Sequence, residues 1–135
     1  MRRVRLFSFY ICLQSQYVYT PLKEANLDAQ NDHYNFFGII IDAGFPYRTN
    51  QGKYICTLKV VDHTLHHRGG TDTLTPIYAT VIIYAKRQED LPVVSNVGDI
   101  IRIHRATMKQ FHDQKQFHVN VYYNSSWCLF KLKTH

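Results

Sequence analysis

Tyr47 and Arg48 stand side by side in PYRTNQG, residues 46–52, among short polar side chains. Together they offer one flat π surface, one fixed cation and several hydrogen-bonding groups. A turn needs only the fixed φ of Pro46 and the tolerance of positive φ at Asn50 and Gly52. The tyrosine and arginine are therefore surplus to turning, and the loop reads as a contact surface. Rings that stack on bases and cations that follow phosphates are what grip an unpaired nucleic acid. Composition points the same way. Ten Tyr, eight Phe and one Trp exceed the need of a small core, and a net charge of +6 suits a polyanionic partner. Tyrosine is also a good strand residue, so any one of them is as well explained by an ordinary sheet position.

Other chemistries find little support. There is no nucleophile elbow, P-loop or HExxH, so neither catalysis nor a small-molecule substrate is expected. Cys12, Cys56 and Cys128 are odd in number and widely spaced, which speaks against zinc and against a disulfide framework. The HTLHH group at 63–67 lacks an acidic or cysteine partner at ligand spacing, so no metal or other cofactor is expected. MRRVRLFSFYICL looks superficially like a signal peptide, but no small-residue cleavage site follows it. No apolar stretch approaches the ~20 residues of a membrane span.

The contact loop must be held up by strands. Phe36 to Phe45 is a nearly continuous apolar run, and Lys53 to Asp62 alternates, with Tyr54, Cys56, Leu58 and Val60 on one face. Ile77 to Tyr84 is a third strand. KRQEDL can form one helical turn, which Pro92 stops. Gly98-Asp99 feeds a fourth strand, Asp99 to Lys109, in which alternation sets Ile101, Ile103 and Arg105 against Arg102, His104 and Ala106. Gln116 to Tyr123 is a fifth, alternating strictly, and Trp127 to Phe130 adds a short apolar segment that closes the core. Ahead of the strands, Thr20-Pro21 suits the start of a short helix within 19–33. Residues 1–18 form an N-terminal extension of uncertain structure, and 19–135 a single domain. Five strands, a short helix between the third and fourth, and long polar loops after the first and fourth describe an all-β, five-stranded Greek-key OB-fold barrel, whose face and loops bind oligonucleotides or oligosaccharides.

Three separated stretches carry a resemblance. IDAGFPYRTNQGKYICTLKVVD (41–62), YAKRQEDLPVVSNVGDIIRIHRAT (84–107) and QFHVNVYYNSSWCLF (116–130) resemble the first OB-fold of the ciliate telomere end-binding protein alpha subunit. The D-L-P … G-D-I-I-R-x-H-R signature in 90–105 also resembles the protection-of-telomeres proteins. The resemblance implies a nuclear protein at chromosome ends that binds the single-stranded G-rich telomeric overhang, with a partner subunit possible. It implies that Phe45, Tyr47, Arg48, Thr49 and Asn50 of the first loop line the DNA groove. Tyr84 and Phe111 would be stacking aromatics, and Lys86, Arg87 and Arg105 would meet phosphates or guanine edges. On this picture an arginine forks onto guanine O6 and N7. Asp62 accepts from guanine's amino and imino hydrogens, or else braces the end of the second strand. A general single-strand binder and a protein–protein OB module are the competing readings. The family's alpha subunit is longer, with further OB-folds, and one OB-fold alone covers only ~4–16 nucleotides.

Overall fold

The structure, a computed structural model, describes residues 17–26, 33–66, 77–111 and 114–132. Seven strands make one sheet: β1 (Tyr34–Ala43), β2 (Tyr47–Arg48), β3 (Tyr54–Val61), β4 (Ala79–Ala85), β5 (Ile100–Phe111), β6 (Gln114–Asn120) and β7 (Ser126–Phe130). The sheet runs β1-β3-β4-β6-β5, and β5 pairs back onto β1, so five strands close a barrel. These five are the expected strands, and the closed order is that of the OB-fold. β4 and β6 are the one parallel pair among the described strands. β2 is a short addition that folds back on β3, and β7 continues along β5 from where β6 leaves it.

Alternation decides what lies inside. In β4 every second residue, Ala79, Val81, Ile83 and Ala85, is fully buried, as a half-buried strand requires. Phe36 and Phe117 meet at the centre with ring centroids 4.4 Å apart. The barrel also needs a residue without a side chain. A Cβ on Gly38 would sit 2.8 Å from the Cβ of Val60, so glycine is what lets β1 lie this close to β3.

Among the described residues helix is almost absent. The expected turn between the third and fourth strands is a single 3-10 turn, Gln88–Asp90. The expected leading helix shrinks to another, Leu22–Glu24, and its later part, 27–32, lies outside the described residues. Thr20 does not cap this turn. Its cap is Pro21, with no side-chain bond of its own, and the first N–H groups are satisfied from across the fold: Leu22 N–H by Asp62 Oδ2 at 2.8 Å and Lys23 N–H by Thr64 Oγ1 at 3.1 Å. Leu22 is thereby pressed fully into one end of the barrel. At the other end lie Leu91 and the half-buried Trp127, whose indole N–H donates to the Asp90 carbonyl at 2.8 Å.

The alternation expected along the fourth strand slips. Arg105 has φ 60°, and the register with β1 shifts between Tyr34 and Phe36. This bulge turns Ala106 inward and leaves Arg105 outward beside His104, which is buried under Tyr17 and Tyr19 on the outer face, because one extra residue reverses the facing of all that follow. The N–H that the bulge frees is taken by the Asn35 side chain at 2.8 Å. The expected fifth strand also ends early, at Asn120, in a turn over 121–124.

Gly38→Ala should destabilise the barrel by about 1–3 kcal/mol, the usual range for overpacking, read as a lower urea midpoint at unchanged slope. A midpoint equal to wild type would mean that β1 and β3 have room to part.

Candidate nucleic-acid interface

The contact loop is built by β2 and one tight turn. Tyr47 pairs with Ile55, and Arg48 with Tyr54. Thr49 N–H donates to the Lys53 carbonyl at 2.8 Å, Gly52 N–H to the Thr49 carbonyl at 3.0 Å, and Lys53 N–H to Thr49 Oγ1 at 3.1 Å. Gly52 sits at φ 83°, a conformation that suits glycine. The turn thus consumes the Thr49 hydroxyl and leaves Phe45, Tyr47, Arg48 and Asn50 exposed, Phe45 at 96% and Tyr47 at 55%. The Arg48 guanidinium lies 5.8 Å from the Tyr54 ring centroid.

Register then extends this loop into a face. Ile55 pairs with Tyr84, and Tyr84 with Asn120. Tyr47, Ile55, Tyr84 and Asn120 therefore form one row across β2, β3, β4 and β6. Tyr84 has the outward parity of Thr80 and Ile82 and is half-buried. Its hydroxyl shares a 3.1 Å hydrogen bond with His118 Nδ1, and the two rings stack with centroids 5.7 Å apart. Burial first, then the neighbouring Tyr47 and Tyr122, push the Tyr84 hydroxyl's pKa up, against the pull of Lys53. Burial, with Lys109 second, pushes His118 down, so its ring stays neutral to lower pH than an ordinary histidine. The result is a neutral aromatic platform rimmed by Lys53, Arg48 and Lys86.

The remaining candidates lie elsewhere or are already engaged. Arg87 forks onto Asp90, with Nε–Oδ2 at 3.1 Å and Nη2–Oδ1 at 3.0 Å. Arg105, turned out by the bulge, donates to the Asn124 carbonyl and to the Tyr17 hydroxyl at 2.9 Å. It serves the N-terminal segment rather than the row. Asp62 follows β3 at the end away from Tyr54, about 26 Å along the strand at ~3.3 Å per residue. Its Oδ1 accepts from Thr64 N–H, Thr64 Oγ1 and Leu65 N–H at 2.8, 2.7 and 2.8 Å, and its Oδ2 from Leu22. These bonds give it the bracing role. Phe111 ends β5 opposite Gln114; its side chain lies outside the described residues. That pair is six residues along β6 from Asn120, about 20 Å.

Reading the sequence alone did not single out Lys53, Tyr54, His118 or Tyr122. Parity along the fifth strand groups His118, Asn120 and Tyr122, but only the parallel pairing of β4 with β6 sets that group beside Tyr84. His104, on the far side, is buried; Tyr17 stacks on it at 3.9 Å and the Tyr19 hydroxyl bonds its Nε2 at 2.7 Å. Burial, then Arg102 and Arg105, push its pKa down to about 4. Among the described residues no cluster of three or more His, Cys, Asp or Glu could hold a metal ion, and no helix is long and apolar enough to cross a membrane.

Residues 14–135 match the family described as "Telomeric single stranded DNA binding POT1/CDC13". The telomere-binding protein subunit alpha of Stylonychia mytilus is 51% identical over 119 residues, covering 86% of this chain and 24% of that protein. The chain thus spans about a quarter of that relative's length. Among solved structures, fission yeast Pot1 with single-stranded DNA superposes with a TM-score of 0.63 at 21% identity, covering 83% of this chain and 35% of that one. The OB domain of Ta0387 from Thermoplasma acidophilum superposes at 0.51 and 14% identity, covering 86% and 88%. At such identities the two structures establish the fold.

The Asp62 brace has a pH signature. Burial pushes its carboxyl up, but the bonds from Leu22, the Thr64 hydroxyl and the Thr64 and Leu65 N–H groups outweigh that and hold it below the ordinary aspartate value. A folded-state pKa below the unfolded one gives stability that is present above the unfolded value and lost as pH falls through the folded one. Thermal unfolding between pH 6 and 2 should therefore show a loss below about pH 4 that is absent from Asp62→Asn. Parallel pH profiles for the two proteins would remove Asp62 from the brace.

Proposed function

The chain belongs to the POT1/CDC13 family of telomeric single-stranded DNA-binding domains, and we propose that it binds the unpaired G-rich strand of chromosome ends across the outer face of β3, β4 and β6. The observation that carries this is the row Tyr47, Ile55, Tyr84, Asn120. Two exposed or half-exposed rings are fixed by backbone pairing on one level of the sheet, with Arg48, Lys53 and Lys86 around them.

Guanine is the base this face suits. It has the larger π surface, and its O6 and N7 accept from an arginine fork. Arg48 is the arginine placed for it, exposed beside Tyr47 and not in an ion pair among the described residues. Tyr47 and Tyr84 supply sequence-tolerant stacking, while Arg48 and Asn50 supply choice. Phe45, the most exposed ring near the loop, extends the stacking surface. The function is binding without catalysis. We propose a nuclear site at telomeres and a partner subunit, a reading supported by the relatives' descriptions as subunits of telomere-binding protein.

Titration of the G-rich strand, its C-rich complement, the duplex and a polypyrimidine strand tests the reading, with the G-rich strand expected to bind tightest. Tyr84→Ala should weaken that binding by about 1–3 kcal/mol, the worth of one stacked base. Equal affinity for the polypyrimidine would leave a general single-strand binder. An unchanged affinity in Tyr84→Ala would take Tyr84 out of the site.

A further inference from the structure

Lys53 and Lys86 occupy an arrangement that a sheet ordinarily avoids. Tyr54 pairs with Ala85 across β3 and β4. Each lysine lies one residue beyond that pair, so the two face each other at the end of the ladder. Like charges directly opposite one another destabilise a sheet. A carboxylate would relieve this, yet the two ion pairs among the described residues are Lys59 with Asp42 and Arg87 with Asp90. Other basic groups are also engaged: Lys115 donates to the carbonyls of Leu22 and Lys23, and Arg105 to Asn124 and Tyr17.

What gathers the two lysines is an aromatic ring. Lys53 Nζ is 5.2 Å and Lys86 Nζ 5.7 Å from the centroid of Tyr122, inside the distance at which a ring attracts a cation. The ring is held in place by its turn. Val121 N–H donates to the carbonyl of Tyr84 itself at 3.0 Å. The Asn120 carbonyl accepts from the N–H groups of Tyr123, Asn124 and Ser125 at 3.0, 3.2 and 3.1 Å. Tyr122 is thus tied to the same backbone that presents Tyr84. The break after β6 interrupts a run that alternation would continue, and it sets a third aromatic beside the row.

We propose that Lys53 and Lys86, gathered on the ring of Tyr122, form a subsite for the two backbone phosphates that flank the nucleotide at Tyr84. The inference rests on the DNA-binding reading above and deepens it. The lysines carry the phosphate contacts, and Tyr122 is a positioning residue that acts through them. A nucleotide stacked on Tyr84 has a phosphate on each side, and the two cations approach from the ends of two different strands. The anions supply the counter-charge that no ion pair among the described residues gives these lysines.

The test is the salt dependence of binding, measured by fluorescence anisotropy on the full chain with a G-rich telomeric single strand. Each single-strand phosphate neutralised contributes about 0.7 to the slope of log K against log salt. Lys53→Gln/Lys86→Gln should therefore reduce the slope by about 1.4. Arg102→Gln/Lys131→Gln removes the same charge from β5 and the segment after β7 and should leave the slope as in wild type. Tyr122→Phe should bind like wild type. Tyr122→Leu should bind several-fold more weakly at low salt, and that loss should vanish when both lysines are already glutamine. A slope that falls equally in the two double variants overturns the subsite, as does a Tyr122→Leu loss that persists without the lysines. Failure of the wild-type chain to bind the G-rich strand would appear before any substitution and would overturn the functional reading itself.

Discussion

β1 pairs with β5 over its first half and with β3 over its second, and this exchange of partners closes the barrel. The exchange requires two register shifts, between Tyr34 and Phe36 and between Ile40 and Asp42, and one residue without a side chain, Gly38, against Val60. Closure removes the free edges that an open five-stranded sheet would expose. It also dictates the rest of the register. With β1 and β3 fixed, β4 follows on β3, and β6 must lie parallel to β4 to reach β5. That parallel pair sets Asn120 beside Tyr84, which is how residues far apart in the chain come to share one face.

The two ends of the barrel then take different roles. At one end the Asp62 carboxylate binds its own turn and the Leu22 N–H, and Lys115 caps two carbonyls of the 3-10 turn. The donors and acceptors there are spent on one another, as the burial of Leu22 demands. At the other end the polar groups of β2 and of the turn after β6 bond along the backbone, which leaves side chains such as Tyr47, Arg48 and Lys86 directed outward. A surface that must meet a ligand is rigid in its main chain and unsatisfied in its side chains. Among the described residues it is the second end that has that character.

Much of the architecture was legible in the chain. The apolar runs and alternation of Phe36–Phe45, Lys53–Asp62 and Ile77–Tyr84 located strands to within two residues, because period-two burial is imposed by the pleat. Arg105 was placed with the inward residues because alternation contains no sign of a bulge, and here a non-glycine residue adopts φ 60°. Asp62 was open between two roles because one of its donors, Leu22, is distant in sequence. The loop residues Tyr47 and Arg48 were legible as surplus to a turn. Their alignment with Tyr84 was not, since it depends on which strands are neighbours. Lys53 and Tyr122 stayed hidden for the same reason: neither is unusual until β3, β4 and the turn after β6 are brought together.

The abundance of aromatics resolves along the same lines. A tyrosine in a strand can be there because it packs well or because it binds something, and its neighbours distinguish the two. Tyr34, Phe36 and Phe117 meet ring against ring in the interior, and the Tyr34 hydroxyl bonds the Asn26 carbonyl. Tyr17, Tyr19 and Phe37 pack on His104 or on one another and fasten the N-terminal segment to the bulge. Tyr54 and Tyr122 have cations as partners, as Tyr17 has Arg105, and Tyr47 and Tyr84 lie in the row between them. A cation over an exposed ring is worth about 0.5–1 kcal/mol whatever else the ring does, and Lys59 over Tyr78 and Arg102 over Phe130 are further cases, so the place of Tyr54 and Tyr122 beside the row is what sets them apart. Rings and cations kept together in a half-exposed position are complementary to a ligand that is itself planar and charged, which is the description of an unpaired nucleotide.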